Sequence, residues 1–255
     1  MTDAATPSTA PDPGTATARA DAAMPVMAQE AERSRGRYRY TRDGEAVAVD
    51  ERFVLGEIAP GVVRVRSTRI TASPTARLEV DVRISGRRSD SVVRWTGSAP
   101  GIAREARAEY AADTGSVKVA RQVDGVVHEP VSARGAAYPL MRVFTGPLVV
   151  ASVAGLDVVV PDVADPSDLD RFLAPVTSSR TAEVLGERAV LVDGVERAGT
   201  AYRWAGGAYG EDGAEFVVDP GGLLLSYAVT QPSGRWEVAL AEVSGPWVVP
   251  SSWTR

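Results

Sequence analysis

Residues 180–243 have the sequence RTAEVLGERAVLVDGVERAGTAYRWAGGAYGEDGAEFVVDPGGLLLSYAVTQPSGRWEVALAEV. Apolar and polar residues alternate along most of this stretch, which is the pattern of antiparallel strands with one buried face. The interruptions contain Gly, Pro or Asp, which favour tight turns. The pattern predicts a meander of strands at 180–185, 187–192, 195–204, 213–218, 223–231 and 235–243, separated by LGE, DG, GGAYGEDG, DPGG and QPSG. A sheet with so many short connections must curl, so we expect a strongly curved half-barrel or barrel.

The same alternation occurs upstream of this stretch. ARLEVDVRIS predicts a strand whose buried face carries Leu78, Val80, Val82 and Ile84. Residues 102–123 predict a hairpin that turns at 113–115, although the Ala, Arg and Glu of IAREARAEYAA also favour a helix. The tetrapeptide VDGV occurs at 123–126 and again at 192–195, and it predicts the same Asp-Gly turn at both places.

The longest apolar region, residues 136–163, is AAYPLMRVFTGPLVVASVAGLDVVVPDV. Pro, Gly and charged residues interrupt it too often for a membrane span. Its β-branched runs LVVASV and LDVVVPDV predict buried strands. The one predicted helix follows it: Asp165 is a favourable N-cap, Pro166 suits the first helical position, and we place the helix at Pro166–Ala174.

These elements predict a mainly β fold: a strongly curved antiparallel meander with one short helix. We expect a single antiparallel β domain with an apolar cavity over residues 36–248. The first 35 residues are rich in Ala, Thr, Pro and Asp and lack the apolar content to pack, so a disordered tail is predicted over 1–35. Residues 249–255 are predicted to form a C-terminal tail.

Composition excludes several classes of function. The net charge is −5 and the pI about 5.1, which disfavours nucleic acid and anionic membranes as partners. The chain has no Cys and one His, so neither a disulfide nor a zinc site with Cys or clustered His ligands is expected. We therefore predict no metal and no cofactor. The N-terminus lacks the features of a secretory signal, so we expect a cytoplasmic protein. The sequence does not set the oligomeric state.

Two segments, EVLGERAVLVDGVERAGTAYRW and FVVDPGGLLLSYAVTQPSGRWEVALAEV, carry a resemblance to known proteins. Their double turn, their strand ending in aromatic residues and their last hairpin resemble those of uncharacterised bacterial single-sheet half-barrel proteins, which are similar in shape to the LolA and LolB lipoprotein carriers. The resemblance implies a curved sheet wrapped around a helix or loop and holding an apolar ligand. Those carriers are exported and this sequence shows no export signal, so a role in lipoprotein transport does not carry over.

Arg142 is the most informative charged residue, because it lies within the apolar segment YPLMRVF. Arginine is seldom buried without a partner. If 138–144 is a strand, Arg142 shares a face with Leu140 and Phe144. Its partner is then either an anionic or enol oxygen of a ligand or a structural carboxylate such as Asp157 or Glu183.

The other candidate residues are polar groups near apolar segments and aromatic residues on strands. Arg142, Arg104, His128 and Tyr138 are the candidate catalytic groups; for His128, beside Glu129, the competing interpretation is a structural histidine. Aromatic residues on strands usually fill a core, but at the mouth of a barrel they also bind flat apolar ligands. The predicted ligand-binding residues are Trp95, Arg104, Tyr110, Tyr138, Met141, Arg142, Phe144, Trp204, Tyr227 and Trp236.

Three functions fit these observations. The first is binding of a hydrophobic small molecule or lipid-like ligand in the cup of the sheet. The second is a cofactor-independent cyclase or isomerase acting on a polyketide- or terpenoid-like substrate in the same cavity, since such catalysis needs mainly a shaped cavity and a few polar groups. The third is a structural or interaction module with a filled core. A cavity lined by arginine or tyrosine favours the enzyme, whereas an unbroken apolar cavity favours the carrier.

Overall fold

The computed structural model describes residues 31–72, 75–99 and 102–247. The strands of the first half are β1 (Ala31–Arg42), β2 (Glu45–Ala46), β3 (Val49–Ala59), β4 (Val62–Ala72), β5 (Thr75–Ser85), β6 (Arg88–Ala99), β7 (Ile102–Asp113), β8 (Ser116–Val123) and β9 (Val126–Arg134). Those of the second half are β10 (Ala136–Ala137), β11 (Leu156–Pro161), β12 (Pro175–Val192), β13 (Val195–Ala205), β14 (Ala214–Val218), β15 (Leu224–Gln231) and β16 (Gly234–Ser244).

All these strands form one nearly closed, barrel-shaped sheet, which confirms the predicted fold class. The strand order is β10-β11-β12-β13-β14-β15-β16-β1-β3-β4-β5-β6-β7-β8-β9, and β2 pairs with β1 off this path. Neighbours are antiparallel except for β10 and β11, which are parallel. Because β1 pairs with both β16 and β3, the first strand joins the two halves of the sheet.

The predicted strands and turns of the first half are present. The side chains of Leu78, Val80, Val82 and Ile84 are all buried on β5. The hairpin of β7 and β8 turns at 113–115 as predicted, so IAREARAEYAA is a strand and not a helix.

Both VDGV tetrapeptides form the same two-residue turn, as predicted. Asp124 and Gly125 have φ of 47° and 83°, and Asp193 and Gly194 have φ of 49° and 74°. Positive φ at both central residues matches the right-handed twist of a β-hairpin, and Asp-Gly is a favoured pair for it.

One predicted turn in the second half is wrong. LGE at 185–187 does not separate two strands, because β12 runs without a break from Pro175 to Val192. The pairing of β12 with β13 shifts register between Val184 and Gly186, and Gly186 has φ of 125°. The glycine therefore permits a β-bulge where a turn was predicted.

The helix is also not where the sequence predicts it. LVVASV is not a strand: helix α1 spans Thr145–Ala151, and 3-10 turns at Arg142–Phe144 and Ser152–Ala154 extend it. The segment connects the parallel strands β10 and β11, and parallel strands need a crossover and not a tight hairpin. Pro147 lies in the first turn of α1, where no backbone N–H is needed. LDVVVPDV does form a strand, β11.

The predicted helix at Pro166–Ala174 is instead a tight loop. Asp165 caps it as expected, accepting a hydrogen bond from the backbone N–H of Ser167 at 2.8 Å. The one bond of the α-helical type in this loop runs from the N–H of Phe172 to the carbonyl of Asp168, three others are of the shorter 3-10 type, and Leu173 then has φ of 58°. Pro161 pairs with Pro175, and Leu173 and Ala174 are hydrogen bonded to the backbone of Asp162, so the end of the predicted helix is bonded to the start of the loop and not to a preceding helical turn.

The first strand begins at Ala31, so residues 31–35, predicted to belong to the tail, lie in β1. The rest of the predicted N-terminal tail and the tail at 249–255 lie outside the described residues. Among the helices of the described part, none has the length and apolar character needed to cross a membrane.

Candidate functional site

The inner face of the barrel and the 138–163 segment enclose an open cleft of about 420 Å³. Its apolar wall consists of Val49, Leu140, Val160, Val163, Ala208, Val229 and Trp236. Its polar lining consists of Tyr40, Arg69, Thr71, Tyr138, Arg142, Arg180, Tyr209, Tyr227 and Gln231. The cleft therefore combines an apolar surface with three arginines and four tyrosines.

A buried carboxylate beside the cleft, that of Glu51, connects the crossover to the sheet. Glu51 has no exposed surface and lies on β3. It accepts a hydrogen bond from the hydroxyl of Tyr40 and another, at 2.6 Å, from the backbone N–H of Arg142. Its Oε2 is 3.7 Å from Nη1 of Arg69. Glu51 thus fixes the start of the helical crossover and balances the charge of Arg69.

Arg142 lies in a 3-10 turn and not in a strand, which corrects the predicted register with Leu140 and Phe144. Its guanidinium carbon is 4.6 Å from the centre of the Tyr227 ring. Its Nη1 donates a hydrogen bond to the hydroxyl of Tyr138 at 3.3 Å. Its Nε is buried and has no hydrogen-bond partner within the described residues.

Neither predicted carboxylate partner of Arg142 is bonded to it. Asp157 accepts a hydrogen bond from the Ser179 hydroxyl at 2.6 Å, and Glu183 pairs with Arg203 at 2.8 Å. Among residues 31–72, 75–99 and 102–247, no ion pair involves the Arg142 side chain. Its neighbours are instead the tyrosines, whose rings and hydroxyls carry no full charge.

Arg180 is the second arginine of the cleft that has no carboxylate partner among the described residues. Its guanidinium carbon is 4.9 Å from the Trp204 ring centre and 5.2 Å from that of Tyr209. Its Nη1 donates to the carbonyl of Gly206, and its Nε is buried with no hydrogen-bond partner. A Cβ at Gly207 would collide with Nη2 of Arg180, so only glycine lets the loop approach this closely.

Burial of Arg180, of which 5% is exposed, lowers the pKa of its guanidinium. Arginine starts so far above neutral pH that the group nevertheless stays charged. With Arg69 balanced by Glu51, Arg142 and Arg180 give the cleft two uncompensated positive charges. A buried charge without an ionic partner is costly, which makes an anion the natural occupant.

The tyrosines of the cleft supply neutral hydrogen-bonding groups. Burial raises the pKa of the phenol groups of Tyr40, Tyr209 and Tyr227 above the ordinary value for tyrosine. These hydroxyls therefore remain protonated at neutral pH and act as hydrogen-bond donors or acceptors. They do not act as bases there, because a phenolate would be needed.

Four of the residues predicted from the sequence lie in the cleft: Tyr138, Arg142, Tyr227 and Trp236. Three others lie apart from it because the barrel is already filled around them. Trp95 packs edge-on against Phe172 with ring centres 5.0 Å apart. Tyr110 donates a hydrogen bond to the carbonyl of Leu173 at 2.6 Å. Arg104 pairs with Asp124 in the β8–β9 turn, outside the cleft.

The remaining predicted residues are buried or on another side of the barrel. Met141 and Phe144 have no exposed surface and belong to the core, because the 3-10 turn directs them away from Arg142. Trp204 is fully buried, and its Nε1 donates to the Ser152 hydroxyl at 2.9 Å. His128 lies on the edge strand β9, half-buried, with an Nε2 that has no hydrogen-bond partner in the described structure.

Sequence reasoning did not assign Tyr40, Glu51, Arg69, Arg180 or Tyr209 to the site. A usable signal existed for Arg69, because it continues the inward-facing series of Val63, Val65 and Ser67 on β4. The signal for Glu51 was of the same kind, since it shares its face of β3 with Phe53 and Leu55. Tyr209 was recognised as one of the aromatic residues that fill a core or hold a flat ligand at a barrel mouth, but it lies in a 3-10 turn of the loop GGAYGEDG and not on a strand.

Comparison with known proteins identifies the fold class and goes no further. The chain is similar to the crystal structure of a beta-barrel-like protein of domain of unknown function DUF1849 from Brucella abortus, with a TM-score of 0.52 and 10% sequence identity. The match covers 84% of this chain and 98% of that one. No family model matches the sequence, and no curated protein does. The chain is thus a β-barrel-like protein, and the LolA/LolB resemblance is supported only at the level of a barrel-shaped sheet.

Proposed function

We propose that the protein binds an amphipathic acid: a small molecule with an apolar body and an anionic group. The observation that carries the proposal is the pair of guanidiniums, those of half-buried Arg142 and buried Arg180, that face one cleft without a carboxylate partner among the described residues. This refines the hydrophobic ligand expected from the sequence, because a wholly apolar ligand would leave both charges desolvated and unpaired.

The cleft has the size and the lining that such a ligand requires. A volume of about 420 Å³ lies within the ordinary range for small-molecule sites. Val160, Val163, Val229 and Trp236 offer the apolar surface against which a hydrocarbon body would be buried. The guanidiniums are stacked on aromatic rings, so they are already oriented before a ligand arrives.

The same observations favour binding over the other two functions. A cyclase or isomerase that abstracts a proton needs a base in contact with the substrate, and the raised pKa of three phenols keeps them protonated. The one carboxylate, Glu51, is fully buried and already accepts two hydrogen bonds. A purely structural module has no use for two buried, uncompensated cations, since apolar residues would stabilise it better.

The test compares two ligands of the same chain length, one with a charged and one with a neutral head group. Decanoate and decanol are titrated into the protein at pH 7.5, below the concentration at which either aggregates, and binding is followed by calorimetry. We expect decanoate to bind about tenfold or more tightly, because the acid pairs with a desolvated guanidinium. Native mass spectrometry of the purified protein should show a retained anionic compound. Equal affinities would contradict an acid-binding site, and no binding of either would contradict the proposal as a whole.

A further inference from the structure

The two free guanidiniums of the cleft are held independently of each other. Arg142 stacks on Tyr227 and bonds to Tyr138, whereas Arg180 lies against Trp204 and Tyr209 and bonds to Gly206. Neither guanidinium shares a hydrogen-bond partner with the other. Each could therefore pair with an anionic oxygen without disturbing the other.

Each of these arginines also retains an unused donor. The Nε atoms of Arg142 and Arg180 are both buried, and neither has a hydrogen-bond partner within the described residues. A guanidinium has five N–H donors in a fixed plane, and its Nε edge is suited to a second bond to the same carboxylate or phosphate. Either Nε becomes available to a ligand when a small shift of its side chain exposes it to the cleft.

The charges of the cleft set the charge of the ligand. A ligand with one negative charge would compensate either Arg142 or Arg180 and would leave the other buried and unpaired, since Glu51 already balances Arg69. Two negative charges compensate both. Aromatic rings cover part of both guanidiniums and reduce the room for water around them, so a second anion is a better partner than solvent for the remaining charge.

We propose that the polar end of the ligand carries two negative charges, either on one phosphoryl group or on two neighbouring carboxyl groups. This inference rests on the proposed function and names the ligand class more closely. Arginine rather than lysine is the residue for such recognition, because its planar fork binds both groups with two parallel hydrogen bonds.

The experiment varies the head group while the decyl chain stays the same. Decyl phosphate and decyl sulfate are both tetrahedral, but a phosphate monoester gains its second charge near pH 6, whereas the sulfate keeps one charge. We expect the affinity for decyl phosphate to rise about tenfold between pH 5 and pH 8, because a second charge-assisted contact forms. Affinity for decyl sulfate should change little and controls for titration of the protein groups that face the ligand, which are Arg69, Arg142, Arg180, Glu51 and the four tyrosines.

A second pair of probes, decanoate and decylsuccinate at pH 8, distinguishes the two sources of the double charge. A pH-dependent preference for phosphate with no gain for decylsuccinate would assign a phosphoryl head group. Tighter binding of decylsuccinate without a phosphate preference would assign two carboxyl groups, and a gain in both pairs would show selection for charge alone. Each of these outcomes supports two negative charges.

Other outcomes separate the failure of this inference from that of the proposed function. If all four probes bind and neither pair shows a difference, the two-charge inference is overturned while the acid-binding function stands. If none binds, the proposed function itself is wrong. Arg180→Met should bring the phosphate-to-sulfate ratio close to one, whereas Arg203→Met, an exposed arginine on the next strand, should leave it unchanged. If Arg180→Met fails to fold, the comparison of decyl phosphate with decyl sulfate on the wild-type protein still tests whether the ligand carries two negative charges.

Discussion

Arg142→Met separates a binding role for this residue from a structural one. In the free protein the substitution removes a stacking contact with Tyr227, worth about 0.5–2 kcal/mol, and a long hydrogen bond to Tyr138, worth about 1 kcal/mol. It also removes a half-buried cation without an ionic partner, whose partial desolvation offsets the loss of these contacts. The backbone N–H that bonds to Glu51 is retained, so the crossover keeps its anchor.

These contributions predict a free energy of unfolding that is unchanged or higher by about 1–2 kcal/mol. For a domain of this size, 1 kcal/mol corresponds to about 2–4 °C in Tm. The affinity for decanoate, in contrast, should fall about 10- to 100-fold, because a charge-assisted hydrogen bond contributes about 1.5–3 kcal/mol.

Urea denaturation and calorimetric titration on the same preparation check the two quantities, with Arg203→Met as the matched control. The Arg203 side chain is 53% exposed and pairs with Glu183, so its loss should alter neither quantity appreciably. A Tm lowered by more than about 5 °C together with unchanged affinity would refute the reasoning. Arg142 would then be a structural residue that the aromatic rings fully compensate.

Three further substitutions test the fold and the site. Val80→Asp should unfold the barrel, as seen by circular dichroism, because an unpaired charge at a position that is 2% exposed costs several kcal/mol. Glu79→Ala, on the opposite face of β5, should shift the urea midpoint very little. Equal effects of the two substitutions would exclude the register of β5. Tyr110→Phe should lower the free energy of unfolding by about 1–3 kcal/mol, because the buried carbonyl of Leu173 loses its hydrogen-bond donor. An unchanged urea midpoint would show that water replaces the hydroxyl. Gly207→Ala should leave the circular dichroism spectrum unchanged and weaken decanoate binding, because the new methyl group displaces the Arg180 guanidinium. A wild-type affinity for decanoate would show that the loop moves to make room for the methyl group.

The fold was predictable from the sequence where local chemistry decides it. Alternation with period two sets the face of β5, and Asp-Gly sets both VDGV turns, because these preferences act within a few residues. The bulge at Gly186 was not predictable, since glycine beside an acidic residue is equally typical of a turn. Whether the chain reverses there depends on whether β13 pairs with β12 on both sides of Gly186, and that is a property of the whole sheet.

The candidate site was predictable only in part because it is assembled from distant strands. Arg142 stood out because a charge within an apolar run requires a partner. Arg180 lies in RTAEV, where one more arginine among polar residues carries no signal, yet it is buried. Its burial depends on Trp204 and on the loop at Gly206, and neither is its neighbour in sequence.

The wrong prediction of a strand at LVVASV bears directly on the origin of the cleft. The β-branched residues there favour a strand, but β10 and β11 are parallel and a crossover must connect them. The crossover enters the barrel, buries Leu148 and Val149, and brings Tyr138 and Arg142 to face the tyrosines of β1 and β15. Had the segment added another antiparallel strand, Arg142 would have lain in the sheet, without the backbone bond to Glu51 that now holds it at the cleft. The parallel pairing of β10 and β11 therefore explains both why LVVASV is a helix and why Arg142 lies beside Glu51. For this reason we expect that substitutions which weaken the bond to Glu51 will affect ligand binding before they affect the sheet.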